Sequence, residues 1–182
     1  MLTLRVLYPA REMKGKKKMN LSSEIISSGT KANRTGNALE NFVEDILIRN
    51  DYTEFTNHKK QVFAMRQFIG GKQFVKQPLC GESIYGSSRK CDFLVLNKEK
   101  FHDGLIIECK WQESAGSVDE KYPFVMLNIK KLGVPTLVLI DGDGYKKQAF
   151  NWLKNQISSE PSLIGVYTMK EFQILVNQGF LI

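Results

Sequence analysis

The chain has 182 residues, 42% of them hydrophobic and 25% charged, and its formal net charge is +7 at neutral pH. This length supports one substantial hydrophobic core and leaves little room for a second independent domain. No stretch approaches the roughly 18 apolar residues of a membrane span, and the positive charge suits a polyanionic partner such as nucleic acid or an anionic membrane surface.

The first twenty residues carry most of the excess charge. They hold six basic residues against the single acid Glu12, which accounts for +5 of the +7. The basic run at 14–18 is typical of a solvated tail, and an arm that binds the DNA backbone is the alternative. Residues 20–34 are rich in Ser, Thr and Asn and show no hydrophobic period. We therefore predict a basic tail and lead-in over 1–34 and a packed domain over 35–182.

The cysteines and the N-terminus bear on the compartment of the protein. Cys80, Cys91 and Cys109 show no metal-type pairing, and their odd number argues against a disulfide framework. The apolar run at 1–7 is broken by Arg5 and is too short for a signal peptide. We expect a cytoplasmic protein without disulfides.

An amphipathic helix is the first predicted element of the domain. Apolar residues recur at i, i+3, i+4, i+7 and i+8 from Leu39 to Leu47, a pattern typical of a helix laid on a core. Asn37 followed by Glu40 resembles a capping box, and Asp51 marks the end of the helix. Farther along, residues 61–69 could be helical, and residues 73–77 could form a short strand.

A β-hairpin and an alternation of helices and strands follow. The apolar runs 93–96 and 105–107 flank a polar turn, and both faces of both runs are apolar, which indicates central strands covered on each side. Downstream we predict helices over 119–132, 145–157 and 170–177, and strands over 136–140 and 163–167. The Asp-Gly-Asp-Gly segment at 141–144 is predicted to be a strand-to-helix loop, because the twelfth position of a calcium loop would be Trp152. The pattern predicts a single α/β domain.

Two acids and a lysine fall at one end of this hairpin. If the turn is centred near Lys100, paired residues have numbers summing to about 200, and Asp92 lies opposite Glu108. Side chains alternate faces along a strand, so Lys110 projects from the same face as Glu108. Adjacent buried carboxylates repel each other unless a positive charge stands between them. Mg²⁺ supplies such a charge and takes carboxylate and backbone carbonyl oxygens, here including the carbonyl of Cys109, together with water and substrate phosphate oxygens.

The lysine has two possible roles in such a site. Lys110 could orient the attacking water and stabilise developing charge, or it could act as the base. The second role requires its pKa to fall from about 10.4 toward neutrality. A nearby Mg²⁺ would promote that fall and the carboxylates would oppose it, and we favour the first role. The alternative without function is an ordinary pair of strands, with Glu108 and Lys110 forming an ion pair of little consequence.

With this arrangement of Asp92, Glu108 and Lys110, the sequence resembles the PD-(D/E)XK nuclease superfamily, which has the restriction-endonuclease-like fold. The resemblance covers about residues 35–170 and is strongest over 85–125, where the matching segments are 85–86, 89–96, 106–112 and 116–123. It implies a central mixed β-sheet flanked by α-helices, Mg²⁺-dependent phosphodiester hydrolysis, and metal ligation by Asp92 and Glu108. Cys91 stands where the family name has Pro, and that position does no chemistry.

Two further residues are candidates for the site. Many members of the superfamily place an acidic residue that supports the metal on the preceding helix, which corresponds to Glu40. Glu40 lies closer to the apolar stripe of its helix than Glu44 does, so it reaches over the sheet edge more readily. Gln112 continues the alternation of Glu108 and Lys110 and could contact a metal-coordinated water or a DNA phosphate. Trp111 falls on the opposite face, where we predict core packing.

The text at 116–123, Gly-Ser-Val-Asp-Glu-Lys-Tyr-Pro, and the chain length resemble the small cleavage subunit of heterodimeric Type IIS restriction endonucleases. The resemblance implies DNA as substrate and a larger subunit that recognises the target sequence. A junction-resolving or repair nuclease acting as a homodimer is the alternative enzyme. A non-catalytic nucleic-acid-binding subunit is the alternative of another class, against which the intact set of Asp92, Glu108 and Lys110 argues.

Overall fold

A six-stranded mixed β-sheet organises the domain. The computed structural model describes residues 28–55, 70–113 and 119–182, with the side chains of 28–37 and of His102 left out. Within these residues the sheet has the strand order β1-β2-β5-β6-β7-β8, with strands β1 (Thr53–Glu54), β2 (Lys72–Lys76), β5 (Phe93–Asn97), β6 (Phe101–Trp111), β7 (Thr136–Asp141) and β8 (Leu163–Tyr167). A separate two-stranded hairpin comprises β3 (Leu79–Glu82) and β4 (Ser88–Lys90).

Helices cover both faces of this sheet. The described helices are α1 (Ser28–Arg49), α2 (Tyr122–Leu132), α3 (Lys147–Asn155) and α4 (Met169–Asn177). Strands β2, β5 and β6 pair antiparallel, whereas β6, β7 and β8 run parallel. The parallel strands are joined by crossovers that contain α2 and α3, as parallel pairing requires. The predicted fold class, a restriction-endonuclease-like mixed sheet flanked by helices in one domain, is confirmed.

The central strands are buried on both sides, as their sequences predicted. Odd-numbered residues of β5, β6 and β7, among them Phe93, Ile107 and Leu139, pack with α1 and α4 in one core. On the other face, Val138 and Ile140 of β7 pack beneath α2 and α3 in a second cluster. The even-numbered residues of β5 and β6, Leu94, Leu96 and Ile106, form a third cluster with Cys91. Two covered faces explain why these strands read as continuous apolar runs. Trp111 is partly buried against the first core, which confirms its predicted place.

The register of the β5–β6 hairpin is the one that the sequence predicted. Phe93 pairs with Ile107, Leu94 with Ile106, and Val95 with Leu105, so the numbers of paired residues sum to 200. The register shifts only beyond Val95, toward the turn. The downstream predictions are also confirmed, since β7, β8, α3 and α4 begin and end within two residues of the predicted bounds, and a loop follows β7.

The start of the first helix was predicted wrongly. Helix α1 begins at Ser28 and runs through residue 37 without a break. Asn37 is therefore inside the helix and cannot be its N-cap. Ser, Thr and Asn favour helix ends because their side chains compete for backbone hydrogen bonds, but this preference is weak and does not prevent a helix from continuing. The basic run at 14–18 and the possible helix at 61–69 lie outside the described residues.

The expectation of no disulfide was also wrong. Cys80 of β3 and Cys91 are bonded, with their Cα atoms 6.1 Å apart, and Cys109 is a free thiol. The backbone N–H of Cys91 donates to the carbonyl of Pro78, and that of Gln77 donates to the carbonyl of Asp92. These bonds bring the start of β3 beside the residue before β5. Counting cysteines could not reveal this pairing, because it depends on the β3–β4 hairpin.

Helix α4 has a capping box that allows a test of its contribution to stability. The Thr168 hydroxyl accepts from the N–H of Glu171, and the Glu171 carboxylate accepts from the N–H of Thr168 at 2.8 Å. Burial opposes the ionised form of Glu171, but its bonds with Thr168 and its contact with Lys154 outweigh burial and lower its pKa below the ordinary 4.5. This contribution to stability is complete above pH 4.5 and is lost as the pH falls through the lower pKa of the folded state.

We expect Thr168→Ala to lower the free energy of unfolding by about 1 kcal/mol at neutral pH. Urea denaturation at neutral pH and in acid measures the difference, which should shrink in acid as Glu171 becomes protonated. Thr168→Ser keeps the hydroxyl and should retain most of the stability. Equal stability of Thr168→Ala and the unmodified chain at neutral pH would contradict the prediction.

In the described ranges no helix is long and apolar enough to cross a membrane.

Candidate active site

The end of the β5–β6 hairpin brings together the three residues that the sequence singled out. Asp92 directly precedes β5, and the pairing of Phe93 with Ile107 places it across from Glu108 in β6. Lys110 follows two residues later and projects from the same face as Glu108. The antiparallel register and the alternation of side chains along β6 thus assemble the cluster.

The ammonium of Lys110 is surrounded by three oxygens. Its Nζ lies 2.8 Å from Glu108 Oε2, 3.1 Å from the carbonyl oxygen of Cys109 and 3.3 Å from Asp92 Oδ2. The Glu108 side chain is only 4% exposed, and those of Asp92 and Lys110 are 20% exposed. The cluster is therefore a largely dehydrated set of charges at a strand end.

The backbone of β6 holds Asp92 in place. The N–H of Cys109 donates to Asp92 Oδ2 at 2.7 Å, a short charge-assisted bond. The Cys109 side chain lies on the other face of the strand, against the core beneath α1. Burial raises the pKa of its thiol well above the ordinary value, and the charge of Asp92 adds to that effect. Cys109 therefore meets the cluster with its backbone N–H and carbonyl and not with its thiol.

The charge state of the lysine follows from these contacts. Burial of the ammonium opposes its charge, but Glu108 and Asp92 together outweigh burial and raise the pKa of Lys110 above its ordinary value. Lys110 is thus protonated at neutral pH in this arrangement. A protonated ammonium donates hydrogen bonds and stabilises negative charge, which favours the electrostatic role over that of a base.

Arg89 is a member of the cluster that sequence reasoning did not single out. It lies in β4, and its Nη2 is 2.6 Å from Glu108 Oε1, with the arginine side chain 12% exposed. The two oxygens of Glu108 are thus divided between two cations, Arg89 and Lys110. Arg89 lies within the segment 89–96 that carries the family resemblance, but nothing in its spacing from Asp92 indicated that it would meet Glu108.

Glu40 of α1 approaches the cluster from the opposite side of the sheet. Burial raises its pKa, and the charge of Asp92 raises it further, while Lys110, a hydrogen bond with Gln77 and the charge of Lys76 act in the other direction. Glu40 is therefore within electrostatic reach of Asp92 and Lys110. Glu44, one turn later, instead pairs with Lys76 at 2.9 Å.

We expect Glu40→Gln to make the metal-free protein more stable at neutral pH. The substitution removes a partly buried charge that Asp92 repels and keeps an amide that can bond with Gln77. The gain should be about 1 kcal/mol or less, which is a shift of a few degrees in Tm for a chain of this size. Glu44→Gln is the matched control on the same helix, and it should give no gain because it breaks an ion pair. Lower stability of Glu40→Gln would show that the Glu40 carboxylate is not under repulsion.

Gln112 lies just beyond β6 and is 2% exposed. Its backbone N–H donates to the carbonyl of Asp141, its carbonyl accepts from the N–H of Gly144, and its side-chain Nε2 donates to the Gly144 carbonyl at 3.1 Å. A Cβ at residue 142 would collide with the Gln112 carbonyl, which explains the glycine there. Gln112 thus attaches the loop after β7 to the end of β6, and its contact with a metal-coordinated water or a DNA phosphate stays a prediction.

The donor set of the cluster fits a hard divalent cation. Two carboxylates and a backbone carbonyl converge on one point, which the Lys110 ammonium marks by contacting all three. Mg²⁺ is bound in proteins by one or two carboxylates with other oxygen donors completing its shell. No three His, Cys, Asp or Glu side chains of the described residues form a closed metal cage, so Asp92 and Glu108 with the Cys109 carbonyl are the protein ligands to consider.

Comparison with known proteins gives one match. A family model described as a PD-(D/E)XK nuclease superfamily domain matches residues 31–180, which is most of the chain and includes every residue of the cluster. No curated protein sequence and no solved structure matches significantly.

Proposed function

Because the chain belongs to the PD-(D/E)XK nuclease superfamily, we propose that this nuclease domain is a Mg²⁺-dependent DNA endonuclease whose active site contains Asp92, Glu108 and Lys110. The observation that carries the proposal is the convergence of the two carboxylates and the Cys109 carbonyl on the Lys110 ammonium. Asp92 and Glu108 would hold the cation, with the Cys109 carbonyl as a further ligand.

The chain's own residues have separate tasks in phosphodiester hydrolysis. Bound Mg²⁺ supplies positive charge that polarises the scissile phosphate. The N–H of Cys109 fixes the carboxylate of Asp92, and Arg89 fixes that of Glu108. Lys110 keeps its proton on Nζ and donates to the attacking water or to a phosphate oxygen, where negative charge develops. Glu40 adds negative charge from the helix side and thereby strengthens the attraction of the site for a cation.

We further propose that the protein is the cleavage subunit of a restriction endonuclease and depends on a larger partner for sequence recognition. The segment 116–123 and the chain length support this role by their resemblance to the small subunits of heterodimeric Type IIS enzymes. One cluster hydrolyses one phosphodiester at a time, so a monomer should nick. Most of the net positive charge is in the first twenty residues, which leaves the domain only mildly basic and favours weak binding by the domain alone.

A plasmid assay tests both parts of the proposal. We expect the purified chain to nick supercoiled DNA slowly with Mg²⁺ and not at all with excess EDTA. Adding the product of a neighbouring gene that encodes a DNA-recognition subunit should make cleavage fast and specific for a site, because tethering raises the local concentration of the nuclease at its target. Labelled RNA serves as the control substrate and should stay intact.

Three results would contradict the proposal. Cleavage of RNA in preference to DNA would overturn the choice of substrate. Efficient, site-specific double-strand cleavage by the chain alone would exclude the subunit role and favour a self-sufficient homodimer of the repair or junction-resolving kind. Binding of DNA without cleavage under any metal condition would favour a non-catalytic subunit.

A further inference from the structure

Arg89 holds one oxygen of Glu108 by a contact that a bound cation could not easily replace. The distance from Arg89 Nη2 to Glu108 Oε1 is 2.6 Å, and both side chains are almost entirely buried. Charge-assisted bonds of this length are among the strong ones in proteins. The other oxygen, Oε2, faces Lys110 and the point where the site's oxygens converge. Oε1 of Glu108 is therefore occupied by the Arg89 guanidinium, and Oε2 is the oxygen that faces the site.

The β3–β4 hairpin keeps the guanidinium in position. Arg89 is paired with Gly81 across the hairpin. The loop between the strands is attached to α2 through two bonds, one from Ile84 N–H to the buried Asn128 side chain and one from Lys131 Nζ to the Ser83 carbonyl. Arg89 Nε is buried and has no acceptor among the described residues. The backbone of the arginine is thus held by the hairpin, and its guanidinium is held by the bond from Nη2 to Glu108 Oε1.

Lys110 and Arg89 differ in their freedom to leave Glu108. The Lys110 ammonium is on a flexible stem and is 20% exposed, so it can swing toward solvent and substrate when a cation enters. The Arg89 side chain is buried, so it cannot move toward solvent in the same way. The four charges of the cluster sum to zero, with Asp92 and Glu108 balanced by Arg89 and Lys110. Departure of the lysine leaves a net charge of −1 on Asp92, Glu108 and Arg89, and Glu40 adds one more negative charge from the helix side. One divalent cation balances this total, and a second would leave an excess of positive charge.

We propose that Arg89 is a positioning residue that reserves Oε1 of Glu108, so that this carboxylate offers only Oε2 and the site takes a single divalent cation. The inference rests on the proposed function, because it assumes that Asp92 and Glu108 are the ligands. A second cation beside Glu108 would have to share Oε1 with the guanidinium, and repulsion between the two positive charges opposes it. The same repulsion weakens the binding of the first cation.

Titration with Mn²⁺, a paramagnetic hard cation, followed by electron paramagnetic resonance tests the proposal without substrate. The number of Mn²⁺ sites in the cluster is the number of sites that are lost in Asp92→Asn, since this variant removes a ligand charge and leaves Mn²⁺ sites on the surface unchanged. We expect one such site in the unmodified chain. Arg89→Met removes the guanidinium charge and should bind Mn²⁺ about tenfold more tightly, because a unit charge roughly 7 Å from a divalent ion weakens binding by about that factor even at the dielectric constant of water.

Two more variants separate charge from shape. Arg89→Gln carries no charge and keeps a polar amide in place of the guanidinium, so it should also bind Mn²⁺ more tightly, and it serves if Arg89→Met does not fold. Arg89→Lys keeps the charge and should restore an affinity within about twofold of the original. A purely structural arginine would give the opposite result, since its loss would loosen the site and weaken binding.

The outcomes distinguish this inference from the proposed function. Two Asp92-dependent sites in the unmodified chain, or equal or weaker Mn²⁺ binding by Arg89→Met and Arg89→Gln, would overturn the role of Arg89 and leave the cation site intact. The absence of any Asp92-dependent Mn²⁺ binding would overturn the proposed cation site and this inference together.

Discussion

Asp92→Asn and Glu108→Gln should each reduce Mg²⁺-dependent cleavage by about a thousandfold or more. Each change removes the negative charge that would hold the cation, and the polarising effect of such an ion on the transition state is worth several kcal/mol. The substitutions keep the size of the side chains. Asn at 92 can still accept a hydrogen bond from the N–H of Cys109, and Gln at 108 can still accept a hydrogen bond from Arg89. The fold should therefore persist.

Single-turnover cleavage of a supercoiled plasmid measures the loss, and circular dichroism verifies the fold. Asp45→Asn and Glu99→Gln are matched controls, because both acids are exposed and lie outside the cluster. They should cleave at the original rate. Cleavage by Asp92→Asn or Glu108→Gln at a rate close to that of the controls would rule out the proposed ligands.

Lys110→Met should lose about a hundredfold or more in the rate of cleavage and yet bind the cation at least as tightly as the unmodified chain. Loss of a single preorganised donor to the transition state has an effect of this size. The gain in affinity is expected because the ammonium contacts the same three oxygens that a cation would use. The lysine and the metal therefore compete in the resting protein, and removing the lysine removes the competitor.

Isothermal titration with Mg²⁺ together with single-turnover kinetics separates the two effects. Lys170→Met is the matched control, since Lys170 is exposed on α4. Loss of Mg²⁺ affinity in Lys110→Met would overturn the assigned role.

The hairpin was predictable because its determinants are local. The alternation of side chains with period two and the position of one turn suffice to place Asp92 opposite Glu108, and Lys110 follows by parity. The downstream helices and strands were predictable for a similar reason, since each has a clear apolar period or a buried apolar run. Segments without such a period were not. The short strands β3 and β4 contain Gly81, Ser88 and charged residues, and no alternation marks them as a hairpin.

The sequence by itself determined that Asp92, Glu108 and Lys110 meet at one strand end and share a face, because both follow from spacing along two adjoining strands. Only the tertiary structure decided what surrounds them. Arg89 comes from a hairpin, and nothing in its spacing indicated its hydrogen bond with Glu108. Glu40 was a candidate from its place on the first helix, but the packing of that helix decided which charges it meets. Electrostatic partners of this kind depend on how distant elements pack, and periodicity in the sequence carries no information about the distance between their charges.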